Sequence, residues 1–112
     1  MFTVASKEYG CPLQLALDTI SGKWKGIIIW FLLENEALRF GEIKRKVNEN
    51  SVKSISEKML IQSLKELEQA EIISREVYNV VPPKVEYSLT ERGKKLKNVI
   101  AELEKFGALY SK

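Results

Sequence analysis

Between residues 55 and 93 the hydrophobic period changes twice, from helical to alternating and back, and few small folds accommodate that order. Leu60, Leu64 and Leu67 recur at helical spacing within Ile55–Leu67, so they share one buried stripe. At about 100° per residue this leaves Lys58, Gln62, Lys65 and Gln69 on the opposite face. After Ile72-Ile73 the pattern alternates, with Arg75, Val77 and Asn79 on one face and Glu76 and Tyr78 on the other. Pro82-Pro83 interrupts it, and Val85, Tyr87 and Leu89 then alternate with Glu86 and Ser88. Two strands joined by a proline-containing turn form a hairpin. Such a hairpin is marginal alone, so one of its faces must lean on a helical core. Thr90 suits the N-cap of a closing helix, with Glu91 in its first turn against the helix dipole.

Upstream, residues 13–20 predict a short amphipathic helix after Cys11-Pro12, and Gly22 punctuates it. Lys23–Glu34 is apolar all round, which places it at the centre of the fold with Trp24 and Trp30 packed there. Arg39–Val47 has Phe40, Ile43 and Val47 at helical spacing and turns Lys44, Arg45 and Lys46 largely outward. Asn48–Ser54 is rich in turn formers and connects it to the next helix. Either Ser56 caps that helix, or Ser54 and Glu57 form a Ser-x-x-Glu capping box. The expected organisation is a single domain over 1–112, with a helix-turn-helix at about 39–72, a hairpin at about 73–90 and a C-terminal helix at about 91–110.

Absent residue types narrow the function. The chain has no histidine and a single cysteine, Cys11, which removes Ser-His-Asp and Cys-His catalysis, a Cys/His zinc cluster and any intramolecular disulfide. Gly-x-Gly-x-x-Gly and Gly-x-x-x-x-Gly-Lys loops are missing, and no carboxylate sits in an apolar setting that would tune it as an acid or base. No catalysis, cofactor or metal is expected. The longest apolar run, Ile27–Leu33, is far short of the roughly 20 residues of a membrane span. No secretion signal is recognisable, and a cytoplasmic location is expected.

Charge is distributed unevenly. Arg39–Lys65 holds seven basic and three acidic residues in a chain whose net charge is only +3, so the cationic excess is confined to the segment whose helix face carries Lys58, Gln62 and Lys65. Ordinary solvated helix faces would also look this way. In the last helix, Leu96, Val99, Ile100, Leu103, Phe106 and Tyr110 recur every three or four residues. This stripe either covers the domain's own core or builds a two-fold interface with the N-terminal helix, and the second reading matches the symmetry of a palindromic DNA site.

Several segments in order then resemble one family: Cys11-Pro12, Gly22-Lys23-Trp24-Lys25, Leu38-Arg39-Phe40-Gly41-Glu42-Ile43, Ile55-Ser56-Glu57-Lys58-Met59-Leu60, Leu64-Lys65-Glu66-Leu67-Glu68, Ser74-Arg75-Glu76-Val77-Tyr78, Val81-Pro82-Pro83 through Thr90, and Gly93. The chain resembles the HxlR-type transcriptional regulators, a MarR-like winged-helix branch, over roughly residues 11–107. The resemblance implies a mainly α fold with a small β-hairpin: a winged helix-turn-helix with N- and C-terminal dimerisation helices. It further implies a bacterial or archaeal homodimer that binds double-stranded DNA. Two features depart from the family pattern. Asn48–Ser54 is a few residues longer than usual, and Glu57 and Ile61 stand where neutral polar residues are common.

On this reading, the helix beginning near Ser56 enters the major groove, with Lys58, Gln62 and Lys65 as the main base contacts and Ser56 and Ile61 beside them. Arg39 and Lys44 would hold phosphates from the first helix, and Arg75 or Lys84 would do so, or reach the minor groove, from the wing. The matching cysteine in some relatives senses oxidants or electrophiles, which makes Cys11 either a redox sensor or an inert thiol. Lys7 nearby favours its thiolate and Glu8 opposes it. Two other readings stand beside this one. In the first, the domain is a protein-interaction module, for which apolar anchors would be needed where Lys58, Gln62 and Lys65 stand. In the second, a small-molecule effector occupies a pocket lined by Trp24, Tyr9 or Phe106, aromatics that also suit a core.

Overall fold

A computed structural model describes residues 1–112. The chain opens with a hairpin that the hydrophobic pattern does not announce: β1 (Phe2–Val4) pairs antiparallel with β2 (Lys7–Tyr9), with Phe2 opposite Tyr9. Its two-residue turn is Ala5-Ser6, both at positive φ (47° and 69°). Turns of this hand normally use Asn-Gly or Asp-Gly, so the usual signal is missing. α1 (Pro12–Ile20) follows, with Pro12 at its first position and Cys11 at the N-cap, and packs on this hairpin. Gly22, at φ 93°, makes the left-handed turn out of α1.

α2 (Lys25–Glu34) begins two residues later than the sequence suggests, with Trp24 buried at its N-cap. Its Ile28, Ile29, Phe31 and Leu32 are buried, and other elements surround it, which explains an apolar pattern with no polar face. Trp24 and Trp30 both join the core, Trp30 only half-buried against Phe31 at 5.0 Å between ring centres.

α3 (Phe40–Glu49) buries Ile43 and Val47 against α2, and Glu42 accepts the Arg39 backbone N–H at 2.8 Å to close its first turn. The Asn48 side chain accepts the Ile55 backbone N–H at 2.8 Å, and buried Ile55 anchors the connection to the core. α4 (Glu57–Gln69) then starts at an N-cap that the sequence left open: the Ser56 hydroxyl accepts the Met59 N–H at 3.1 Å. Leu60, Ser63, Leu64 and Leu67 form its buried stripe.

The end of α4 is closed by paired backbone bonds, Glu71 N–H to Glu68 and Ile72 N–H to Leu67, with Glu71 in the left-handed region at φ 61°. Glycine usually takes this position. Glu71 is held there by Arg92, 2.7 Å from its carboxylate, and by the Thr90 hydroxyl, which donates to its carbonyl at 2.6 Å.

β3 (Ile73–Tyr78) and β4 (Lys84–Leu89) form the expected hairpin, registered Ile73 to Leu89 through Tyr78 to Lys84. Asn79 lies beyond the strand that the alternation assigned to it. Ile73 and Leu89 are buried at the base. The hairpin leans on the helices through Leu38, whose backbone exchanges two hydrogen bonds with Tyr87 (2.9 and 2.8 Å) as a single antiparallel bridge to β4.

The C-terminal helix is not continuous. α5 (Glu91–Lys94), capped by the Thr90 hydroxyl, gives way at Lys95-Leu96 to a tighter turn in which Lys95 and Leu96 donate to Arg92 and Gly93. Bonds to the third preceding residue tighten the helix. α6 (Lys97–Ala108) then packs on α2 through buried Ile100. Tyr110 lies past its end, edge-on to Phe106 at 5.7 Å. The arrangement is mainly α with a small hairpin, in the order of a winged helix-turn-helix.

Candidate nucleic-acid interface

The stripe that buries Leu60, Leu64 and Leu67 fixes the rotation of α4, and a shallow groove on its outer side is lined by Lys58, Ile61, Gln62, Lys65, Glu66 and Gln69. Lys58, Ile61, Gln62 and Lys65 are exposed together, and neither lysine makes an ion pair within 4 Å. Ser56 differs from them. Its hydroxyl oxygen already accepts one N–H as the N-cap, which leaves its proton and one lone pair for a DNA partner.

Gln62 is held. Its amide nitrogen donates to Glu66 at 3.1 Å, and the other Glu66 oxygen meets the Lys25 ammonium at 2.8 Å. Hydrogen bonds from Lys25 and then Gln62 hold the Glu66 carboxyl below its ordinary range. With one amide proton on Glu66, Gln62 keeps a carbonyl and a second N–H, the pair that reads adenine N6 and N7. The Gln62 and Glu66 spacing is legible in the sequence as an i,i+4 pair. Lys25 is not, because it arrives from α2.

The flanking cations are less free than their sequence positions suggest. Arg39 is exposed at the start of α3, but Lys44 is tied to Glu57 at 3.0 Å and bridges the two helices of the helix-turn-helix. Lys46 does not turn outward: it is half-buried, with its ammonium 5.9 Å from the Phe31 ring centre. Arg45, which the sequence pattern turned outward without assigning it to DNA, is exposed and unpaired. On the wing, Arg75 is exposed and free, whereas Lys84 lies 3.4 Å from Glu86 and over the Tyr78 ring at 4.8 Å. Glu76 stands directly opposite Glu86. Partial desolvation raises the Tyr78 phenol, and the two carboxylates add to the effect. The wing therefore offers phosphate one unopposed cation, Arg75.

The apolar stripe of the last helix divides. Ile100 is buried and Leu96 packs against the core, so these two serve the protomer's own interior. Val99, Leu103, Phe106 and Tyr110 are exposed, as is Leu109, which the sequence reading did not include. Leu13 and Leu17 of α1 are exposed as well. Cys11 is an exposed free thiol at the N-cap of α1. The three aromatics proposed for an effector pocket do not converge: Trp24 is buried in the core, Phe106 is on the open face of α6, and Tyr9 lines a separate cavity. No helix is long and apolar enough to cross a membrane.

A family model described as HxlR-like helix-turn-helix matches residues 19–112. The chain is 44% identical over 105 residues to an uncharacterized HTH-type transcriptional regulator, YkvN, of Bacillus subtilis, covering 94% of this chain and 84% of that protein. An uncharacterized HTH-type transcriptional regulator of Methanothermobacter thermautotrophicus is 41% identical over 103 residues, covering 92% and 74%. Among solved structures, the redox regulator HypR in its oxidized form superposes with a TM-score of 0.81 at 41% identity, covering 91% of this chain and 99% of that one. The reduced form of the transcriptional regulator YodB from B. subtilis superposes at 0.75 and 36% identity, covering 93% and 97%.

Proposed function

The chain belongs to the HxlR-like helix-turn-helix family of transcriptional regulators, and from that premise we propose that it binds double-stranded DNA sequence-specifically, as a homodimer on a palindromic operator, with oxidants or electrophiles sensed at Cys11. The observation that carries the DNA reading is the outer face of α4. Lys58, Gln62 and Lys65 stand exposed side by side on a helix whose rotation and start are fixed by a buried leucine stripe and the Ser56 cap. Lysine donates to guanine O6 or N7, glutamine pairs with adenine, and Ile61 meets a thymine methyl. Arg39, Arg45 and Arg75 flank this face as phosphate contacts, and Lys44 and Lys84 join them only by leaving Glu57 and Glu86. A protein-docking helix would need apolar anchors at the positions these cations occupy.

Val99, Leu103, Phe106, Leu109 and Tyr110 give the dimer its apolar face, and isologous pairing of two such faces sets two copies of α4 on one side of a duplex. Cys11 is the chain's only thiol. Its oxidation therefore joins two chains in a disulfide, with two thiols giving two protons and two electrons to the oxidant, or captures a small thiol. The exposed thiol supports this, as do neighbours titled redox regulator in oxidized and reduced forms. Selection of bound sequences from a random DNA pool tests the DNA and palindrome reading. A palindrome with half-sites about one helical turn apart is expected, and only sequence-independent, salt-sensitive retention would overturn it.

A further inference from the structure

Beside the groove on the outer face of α4, and sharing Glu66 and Gln69 with it, lies a cavity of about 240 Å³. It is walled by Val4, Ala5, Lys7 and Tyr9 of the N-terminal hairpin, Asp18 and Thr19 of α1, Lys25 of α2, and Glu66, Gln69 and Ala70 of α4. The N-terminal hairpin, α1 and the start of α2, consecutive in the chain, meet the distant α4 here, and each contributes polar groups. Lys25 and Glu66 pair with one another at 2.8 Å. The remaining two ions, Lys7 and Asp18, have opposite charge and no ion-pair partner, although Asp18 accepts the Tyr9 hydroxyl at 2.5 Å. Val4, Ala5 and Ala70 supply a small apolar surface between them.

We infer that this cavity binds a small zwitterion of the α-amino acid class, whose carboxylate meets Lys7 and Lys25 and whose ammonium meets Asp18. One cation and one anion left without an ion-pair partner in one cavity are matched by a ligand carrying both charges as substituents of one carbon. A simple anion leaves Asp18 unanswered, and a simple cation leaves Lys7 so. The volume is below the roughly 300 Å³ at which drug-sized pockets begin, which suits a ligand with a short side chain. Lys25 also links the cavity to the recognition face. A carboxylate beside it competes with Glu66, and Glu66 holds the Gln62 amide. Ligand entry thus loosens Gln62, a consequence that rests on the DNA-binding reading, whereas binding of the zwitterion does not.

The test is amide NMR on the full chain without DNA, titrated singly with the standard L-α-amino acids. For at least one of them, shifts are expected at Val4–Tyr9, Asp18, Thr19, Lys25 and Glu66–Ala70. The N-acetyl form and the decarboxylated amine of that amino acid should leave these signals unmoved. Lys7→Ala and Asp18→Asn should each weaken binding by roughly tenfold or more while leaving the rest of the spectrum and the thermal melt intact. The inference is overturned if no amino acid shifts these signals, if the blocked or decarboxylated form binds equally, or if both variants bind as wild type does. Operator affinity is measured separately. A chain that binds the amino acid but no DNA sinks the DNA reading alone, and one that binds DNA but no amino acid sinks this inference alone.

Discussion

Gly93 lies directly against the backbone carbonyl of Ile72, so closely that a β-carbon on residue 93 would overlap that oxygen and touch Leu89 Cδ2 at 3.0 Å. The contact joins the start of the closing helix to the point where α4 turns into the wing. Thr90 strengthens the same junction from its hydroxyl, which reaches both Glu71 and Ile72 carbonyls (2.6 and 3.1 Å) and accepts the Gly93 N–H. Because backbone meets backbone, no side-chain rotation relieves the overlap. Gly93→Ala is expected to destabilise the chain by about 1–3 kcal/mol, as overpacking does. Gly107→Ala, in α6 with open space around it, should be stabilising by up to about 1 kcal/mol through helix propensity. Urea unfolding of both variants checks the pair, and equal stability would refute the close approach.

On the outer face of α4, Lys58→Ala and Gln62→Ala are each expected to lose about 1–3 kcal/mol of discrimination at one position of the operator half-site. Arg75→Ala should instead weaken all sequences alike and lower the salt dependence by about one ion. Competition binding with single-base operator variants in rising salt separates the two behaviours. Unchanged affinity and specificity in both α4 variants would refute the assignment of this face.

The sequence made α4, the wing and the closing cap legible because each rests on a local pattern: a leucine stripe, an alternation broken by Pro82-Pro83, and a threonine before an acidic first turn. What it concealed depends on tertiary approach. The N-terminal hairpin turns on Ala5-Ser6, a pair with no turn signature. The break at Lys95-Leu96 has no proline or glycine at that point, and it arises where α6 turns to pack on α2. Lys25 meeting Glu66, Lys44 meeting Glu57 and Lys46 over Phe31 are contacts between elements, so side-chain spacing within one element could not reveal which cations remain free.

Glu66 gives the outer face of α4 a pH dependence whose sign follows from the direction of its shift. Its folded carboxyl titrates below the ordinary value of 4.5, first through Lys25 and then through Gln62. The stabilisation is therefore present above that value and is lost as pH falls through the folded pKa. The pair is partly exposed, so the effect is small and screened by salt. In Glu66→Gln the acid-side decline in thermal stability should be shallower than in wild type, and operator preference at the Gln62 position should relax. A decline of identical shape would show that Glu66 is not held by this pair.

The split stripe on α6 predicts two different failures from neighbouring apolar residues. Leu103, at 52% exposure, faces outward, while Ile100, at 6%, faces α2. Leu103→Glu should give a folded monomer with greatly reduced operator affinity, because one half-site supplies only half the contacts. Ile100→Ala should keep its assembly while losing about 2–5 kcal/mol of stability to the cavity it leaves. Sedimentation and thermal melting distinguish them, and a Leu103→Glu variant that sediments as wild type would move the interface elsewhere.

The proposed sensing at Cys11 can be tested cleanly because the chain has no second cysteine to confuse the result. Treatment with diamide should convert wild type to a product that runs at twice the chain mass without reductant, or to a mixed disulfide when a small thiol is present, and DNA binding should change with it. The thiol is exposed at the N-cap of α1, beside the hairpin that packs on that helix, so a crosslink there restrains the relative placement of two protomers rather than one protomer's core. Cys11→Ser should bind operator normally and ignore the oxidant. If that variant still released DNA on the same treatment, the response would not be carried by the thiol, and Cys11 would be a bystander.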